Sequence, residues 1–202
     1  YFGESAESQE YVVVNSLQEE VDYPLSTEGQ SVAYTNYSGQ GGVGIGSFFQ
    51  RLGFSLRYSE LNLMISNQLS DDSKIIMERN VTSRVKKAAP FLYTDNDPYL
   101  ALIEGDLFWI IDMYTVSDKY PYAQPADTRR INERSGLPMN FNYIRNSVKA
   151  VVNAYDGTMK FYVFDEADPL IQSYANIFPS LFTDKSEMSS SLLDHIRYPE
   201  DL

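Results

Sequence analysis

Residues Ser147 to Asp165 read "SVKAVVNAYDGTMKFYVFD". Two runs of alternating apolar residues flank Asp156-Gly157, a dipeptide suited to the two-residue hairpin turn because that turn needs positive φ at its centre. With the turn placed there, Ala154 faces Met159, Val152 faces Phe161 and Ala150 faces Val163, all on one face. The other face pairs Tyr155 with Thr158, Asn153 with Lys160 and Val151 with Tyr162. One apolar face and one wetter face predict an antiparallel pair within a sheet.

Upstream, Pro98 to Asp112 read "PYLALIEGDLFWIID". A turn at Gly105-Asp106 sets Ile103 opposite Phe108, Ala101 opposite Ile110, Leu102 opposite Trp109 and Leu100 opposite Ile111. Both faces are apolar, so this hairpin is expected at the centre of the sheet, covered on both sides.

Helix signals lie around the hairpins. Ser47 caps a helix to Tyr58 with Phe48, Phe49, Leu52 and Leu56 at helical spacing. Asp71 or Asp72 offers a cap before "SKIIMERN", and Asn80 caps a helix with Val81, Val85 and Ala88 on one face, stopped by Pro90. Asp168 caps a third with Pro169 at its first position and Leu170, Tyr174 and Ile177 aligned. A last short helix is expected around Leu192, Leu193 and Ile196, and a strand over Tyr11 to Asn15. The fold class is therefore α+β: an antiparallel sheet built from two β-hairpins with helices packed on it, in a single domain spanning residues 1–202.

The balance of 43% hydrophobic and 22% charged residues supports a packed core. Net charge is −12, which repels phosphate backbones and anionic lipid surfaces, so no nucleic-acid partner is expected. No cysteine is present, so disulfides, thiolate metal sites and cysteine nucleophiles are excluded. No apolar run is long enough to span a bilayer, so no direct insertion by this segment is expected. The start, "YFGESAESQEY", is not a signal peptide, and the chain reads as cytosolic or as excised from something larger.

Residues Gly39, Gly41 and Gly44 match the G-x-G-x-x-G spacing of a dinucleotide loop. Such a loop follows a buried aliphatic strand, whereas "SVAYTNYS" is polar and alternating, and the helix after it opens with the bulky Phe48-Phe49. No Lys stands in "GVGIGS", so a Walker loop fails outright. The stretch reads as a strand-to-helix connection, and no cofactor is expected.

His195 is the single histidine, so any triad would use it, and a two-His metal site is impossible. It stands beside Asp194, Arg197, Glu200 and Asp201, which favours a structural role. Asp95 and Asp97 in "TDNDP" lack the spacing of a calcium loop and read as a turn in which Asp bonds its own backbone. Asn36 and Asn80 open formal glycosylation sequons. No residue is assigned a catalytic, cofactor-binding or metal role. The long irregular stretch Tyr114 to Asn142 holds "DKYPYAQP", where Tyr120 and Tyr122 flank the restraining Pro121. With Arg129 and Arg130 it forms a candidate interaction loop, weighed against the tyrosines folding back onto the core.

The segments "GGVGIGSFFQRLGFSLRY", "NVTSRVKKAAPFL", "NYIRNSVKAVVNAYDGTMKFYVFDEADPLI" and "HIRYPEDL" occur in that order. Together they resemble the large bacterial membrane proteins of uncharacterised protein family 0182, over nearly the whole chain. The resemblance implies transmembrane helices elsewhere in the parent and a position for this chain in a large extracytoplasmic region at the bacterial cell membrane. It supplies no catalytic residues. Two function classes are expected: a non-catalytic domain that binds an envelope polymer or protein on behalf of the membrane component, or an envelope hydrolase using Asp95, Asp97 or Glu200 with His195. A cleft lined by acids and His195 would favour the second, and a shallow aromatic patch the first.

Overall fold

The computed structural model describes residues 1–4, 11–24, 32–128 and 136–199. The chain forms two compact units, Glu7–Arg79 and Tyr1–Ala6 with Asn80–Leu202.

In the first unit, β1 (Tyr11–Val14) and β4 (Val43–Gly44) flank β5 (Lys74–Met77) in an antiparallel three-stranded sheet, and β2 (Glu20–Pro24) pairs with β3 (Val32–Thr35). Ile45, Leu63 and Ile75 form the core, with Phe54 and Tyr58 of α1 (Phe48–Tyr58) packed against it and α2 (Asn62–Ile65) contributing Leu63. The expected helix after Asp71 or Asp72 is instead β5. Its Ile75 and Ile76 are fully buried between strands on both edges, and β-branched residues suit that position better than a helix.

The start of α1 is as expected. Gln50 N–H donates to Ser47 Oγ (3.3 Å), and the Gln50 side chain accepts from Ser47 N–H (3.2 Å). Its orientation is not as expected. Ser55, Phe54 and Tyr58 face the core, whereas Phe48, Phe49 and Leu56 point outward.

The second unit contains α3 (Val81–Ala88), β6 (Tyr93–Thr94), β7 (Tyr99–Ile103), β8 (Asp106–Ser117), β9 (Tyr143–Asn153), β10 (Met159–Val163), α4 (Pro169–Ile177), β11 (Phe182–Asp184) and α5 (Ser190–Leu193). Its sheet runs β11-β10-β9-β8-β6, with β7 also paired to β8, and every pairing is antiparallel except β10 with β11. Helix α3 is capped by Asn80, the second sequon asparagine, which accepts from Ser83 N–H (2.8 Å) and donates to Glu4 O (2.6 Å).

Both hairpins form, each with its register moved by two residues. Val152 pairs with Met159 and Ala150 with Phe161, because the loop is wider than two residues. Asn153 N–H donates to Thr158 O, Gly157 N–H donates to Asn153 O, and the Asn153 side chain accepts from Tyr155 and Asp156. In the other hairpin the turn is Glu104-Gly105, at φ 54 and 96, and Leu100 pairs with Trp109. A one-residue slip would turn every side chain over, but a slip of two keeps each on its face. Val148, Ala150, Val152 and Phe161 are accordingly buried together, as the pattern requires.

Two burial expectations need correction. The face holding Val151 and Tyr162 is also buried, because Met188 and Leu192 cover it. The far end of the β7–β8 hairpin is covered on one face only: Leu100, Leu102 and Leu107 are exposed, since β7 is an edge strand that overhangs the sheet. Two-sided burial instead falls on Ile110 to Tyr114. Trp109 is half-buried and its Nε1 donates to Phe2 O (3.2 Å).

Gly157 has φ 71, and a Cβ there would approach the Phe2 ring more closely than real Cβ atoms come. Phe2 is buried and carries the Arg84 guanidinium 4.8 Å from its ring centroid. Gly157→Ala is therefore expected to cost about 1–3 kcal/mol, from a left-handed Ala and displacement of Phe2. Urea unfolding measures it, and a midpoint equal to wild type would refute the packing.

Candidate functional site

Strand β8 runs past the buried centre of the sheet and delivers the chain to the loop beginning at Asp118, which returns at Asn142 into β9. At this end the β8–β9 register shifts between Met113 and Thr115, so that Asn146 and Ser147 lie opposite the single residue Tyr114. Such a bulge re-aims the side chains beyond it. Here Thr115 and Ser147 both turn toward Asp168, the N-cap of α4.

Asp168 is fully buried. Its Oδ2 accepts from Thr115 and Ser147 (both 2.5 Å), and its Oδ1 from Tyr143 (2.6 Å) and the Leu170 N–H (2.9 Å). Burial alone would raise its pKa. The hydroxyls of Ser147, Thr115 and Tyr143 and the Leu170 N–H outweigh that, and the carboxyl is held below its ordinary value. Tyr143 shifts the other way: burial and the neighbouring Asp168 carboxylate push its phenol well above the ordinary tyrosine range.

This buried carboxylate fixes a surface. With its hydroxyl held by Asp168, the Tyr143 ring cannot swing, and Tyr120 stacks on it at 4.9 Å with an interplanar angle of 23°. The Tyr120 backbone is fixed as well. Its N–H donates to Asn142 Oδ1 (2.9 Å), and Asn142 Nδ2 donates to the carbonyls of Tyr120 (2.8 Å) and Ala123 (3.3 Å). Arg145 lies 5.8 Å from the Tyr143 ring centroid and pairs with Asp165 at 2.8 Å. Tyr122, at φ 60, is fully exposed, and Tyr120 is half-exposed. The result is a pre-set aromatic platform with a charged rim, which suits flat or ring-shaped groups.

Tyr120 and Tyr122 are exposed rather than folded back onto the core, whereas Leu137 and Phe141, at the other end of the same stretch, are buried. Arg129 and Arg130 lie outside the described residues. Asn142, Tyr143 and Arg145 escaped sequence reasoning. The available signal was the pair of polar ends that a long loop must close on itself.

The carboxylates and histidine proposed for hydrolysis are placed otherwise. Asp95 is buried, its carboxylate accepting from the Tyr114 hydroxyl and the Asp97 N–H (3.0 Å), the expected backbone-bonding turn. Asp97 is exposed. His195 is exposed and its Nδ1 lies 2.7 Å from Ser191 O, one turn back. Glu200 lies outside the described residues. Among the described residues no group of three His, Asp or Glu could hold a metal ion. A cleft of about 360 Å³ opens beside the β7–β8 turn; Ile103, Phe108, Val151 and Tyr162 form its apolar wall and Glu104, Asp106, Glu187 and Lys160 its polar one, whereas Asp95, Asp97 and His195 take no part.

The glycine stretch is a strand-to-helix connection. Val43-Gly44 is the edge strand β4, Gly42 takes φ 91, and the Gly39 carbonyl accepts from Lys74 Nζ (3.2 Å).

A family model described as "Uncharacterised protein family (UPF0182)" matches residues 1–202. The chain is 46% identical over 210 residues to a UPF0182 protein of Trichodesmium erythraeum, covering all of this chain and 22% of that protein. UPF0182 proteins of Clostridium kluyveri and Pelotomaculum thermopropionicum are each 42% identical over 202 residues, with all of this chain and 20% of each relative covered. The chain thus spans about a fifth of the length of these curated relatives. No solved structure matches.

Proposed function

We propose, from the premise that this chain belongs to the uncharacterised protein family UPF0182 and is a fragment of a larger protein, that it is a non-catalytic binding region on the extracytoplasmic side of a bacterial membrane protein. Its partner is an envelope polymer, held on the platform of Tyr120, Tyr122 and Tyr143. The observation that carries this reading is the locked stack of Tyr120 on Tyr143, with Tyr122 free in solvent beside it. Aromatic faces fixed in advance lose few rotamers on binding, so contact area converts to affinity efficiently. For an anionic polymer the rim offers Arg145, whose guanidinium is also paired with Asp165, so the aromatic faces carry most of the contact. The net charge of −12 opposes such a ligand at long range, so binding is weak and salt-dependent, and screening of that repulsion favours it. No nucleic-acid partner and no inserted segment belong to this reading, and the remainder of its own polypeptide is its constant neighbour.

The test replaces Tyr120 and Tyr122 together by Ala and compares thermal stability with retention on cell-wall fractions. Loss of the exposed stack is expected to cost about 1 kcal/mol, a shift of a few degrees in Tm. Retention is expected to fall about tenfold, since roughly 1.4 kcal/mol of contact is a factor of ten. Unfolding many degrees earlier would make the tyrosines core residues, and unchanged retention would place the site elsewhere. Either outcome defeats the proposal.

A further inference from the structure

Helix α1 is turned inside out relative to its sequence pattern. The residues at i, i+4 and i+8, Phe48, Leu52 and Leu56, join Phe49 in a stripe along the side opposite Phe54, Ser55 and Tyr58. Phe48 is 61% exposed, Phe49 81% and Leu56 73%, and Leu61 and Ile65 continue beyond the helix at 72% and 71%. The two rings meet edge to face at 5.8 Å, so they form one surface rather than two separate side chains. Gly53 stands within the stripe with open space where its Cβ would be, leaving a notch between Phe49 and Leu56. Scattered surface leucines need no explanation, but an aromatic and aliphatic stripe of this exposure marks a contact face.

Charge narrows the occupant. The chain carries 28 acidic residues, yet no Asp or Glu stands between Glu28 and Glu60. Arg51 is turned inward, its Nε donating to Ile45 O (2.9 Å), which leaves Arg57 as the exposed charge of α1. A second copy meeting this face would set Arg57 against Arg57, and the one acid beside the face, Glu60, already accepts from the Asn62 N–H (3.3 Å). A segment of the same polypeptide has no such conflict, and about four-fifths of the relatives' length lies outside the region matched here. We infer that the outer stripe of α1, with Leu61 and Ile65, is a docking face for an apolar segment of the parent polypeptide outside these 202 residues. That segment presents an acid to Arg57 and covers the side of α1 that the Ile45, Leu63 and Ile75 core leaves open.

The chain has no cysteine, so single thiols report the face cleanly. Phe49→Cys and Leu56→Cys are placed separately in the full-length protein in its native membrane, with Glu187→Cys as an exposed reference. Each is treated with a small maleimide, and modification is read by mass on the tryptic peptide that carries it. Both stripe thiols are expected to react at least about tenfold more slowly than the reference. Reaction as fast as the reference overturns the inference. So does protection that vanishes when detergent replaces lipid, which would assign the face to the bilayer. Protection that rises with protein concentration would assign it to a second copy and overturn it equally. As an independent check, Phe49→Ser with Leu56→Ser should lower the protease resistance of the full-length protein. The Phe54 and Tyr58 side of the helix is untouched by these changes.

Discussion

Replacing Asp168 by Ala is expected to remove roughly 3–5 kcal/mol of stability, an N-cap worth about 1 kcal/mol plus buried hydroxyls left without their acceptor. The carboxylate receives Thr115, Ser147, Tyr143 and the Leu170 N–H, and the remaining partner among these is the 3.2 Å contact between Thr115 and Ser147. A loss of that size lowers Tm by about 10 °C or more in a unit of this size. Asp168→Asn keeps the shape and one acceptor oxygen, so about half the penalty is expected. The two variants also differ from wild type in pH response. Asp168 has its pKa lowered in the folded state, so its contribution is fully present above the unfolded value, near pH 4, and is lost as pH falls through the folded value. The gap between wild type and Asp168→Asn in urea midpoint should therefore be wide at pH 7 and narrow toward pH 2. A gap that stays constant with pH would mean that Asp168 is not ionised in the fold. Because Asp168 also holds the Tyr143 hydroxyl, both variants should loosen the Tyr120 stack, and retention on cell-wall fractions should weaken even below the melting temperature.

What the sequence made legible followed from period and chemistry, and what it hid depended on tertiary choice. The alternation from Val148 to Val152 and from Met159 to Val163 identified the buried face, although the turn that sets the register was misjudged in both hairpins. The faces survived because both errors were slips of two. Asn153 explains one error: its side chain bonds two loop N–H groups and so favours a wider loop than Asp156-Gly157 alone would make. Caps were read correctly at Ser47, Asn80 and Asp168, since each uses local chemistry. The facing of α1 was not local. Both of its sides carry aromatic residues, and Ile45, Leu63 and Ile75 selected the one with Phe54 and Tyr58. At the candidate site Pro121 pointed to Tyr120 and Tyr122. Asn142 and Tyr143, the supports of Tyr120, stand 22 and 23 positions later and meet it only when β8 and β9 pair. Asp168 was legible as a cap but not as the acceptor of three side-chain hydroxyls, which required the bulge opposite Tyr114.

The second large effect is expected from Lys149→Met. Lys149 and Asp112 are register partners on β8 and β9, both almost fully buried, and the Lys149 ammonium donates to the Asp112 carboxylate. It also donates to Arg197 O (3.4 Å), and Arg197 lies over the Tyr99 ring, which ties the C-terminal stretch to the same face of the sheet. Burial pushes the Asp112 carboxyl above its ordinary value, against the pull of Lys149 and Asn146. Removing the cation leaves a buried carboxylate without its counter-charge, which costs about 3–5 kcal/mol. Replacing both partners, Asp112→Leu with Lys149→Met, removes the desolvation cost along with the attraction, so the double variant is expected within about 1–2 kcal/mol of wild type. The pH response is opposite in sign to that of Asp168. A carboxyl with a raised folded pKa favours the fold below its unfolded value and loses that contribution as pH rises through the folded value. Lys149→Met should therefore be less destabilised at pH 5 than at pH 8, because Asp112 without its lysine protonates more readily. Urea midpoints of wild type, both single variants and the double variant at these two pH values complete the cycle. If the double variant is as unstable as Lys149→Met alone, the loss comes from packing around the methylenes of Lys149 rather than from the unpaired charge.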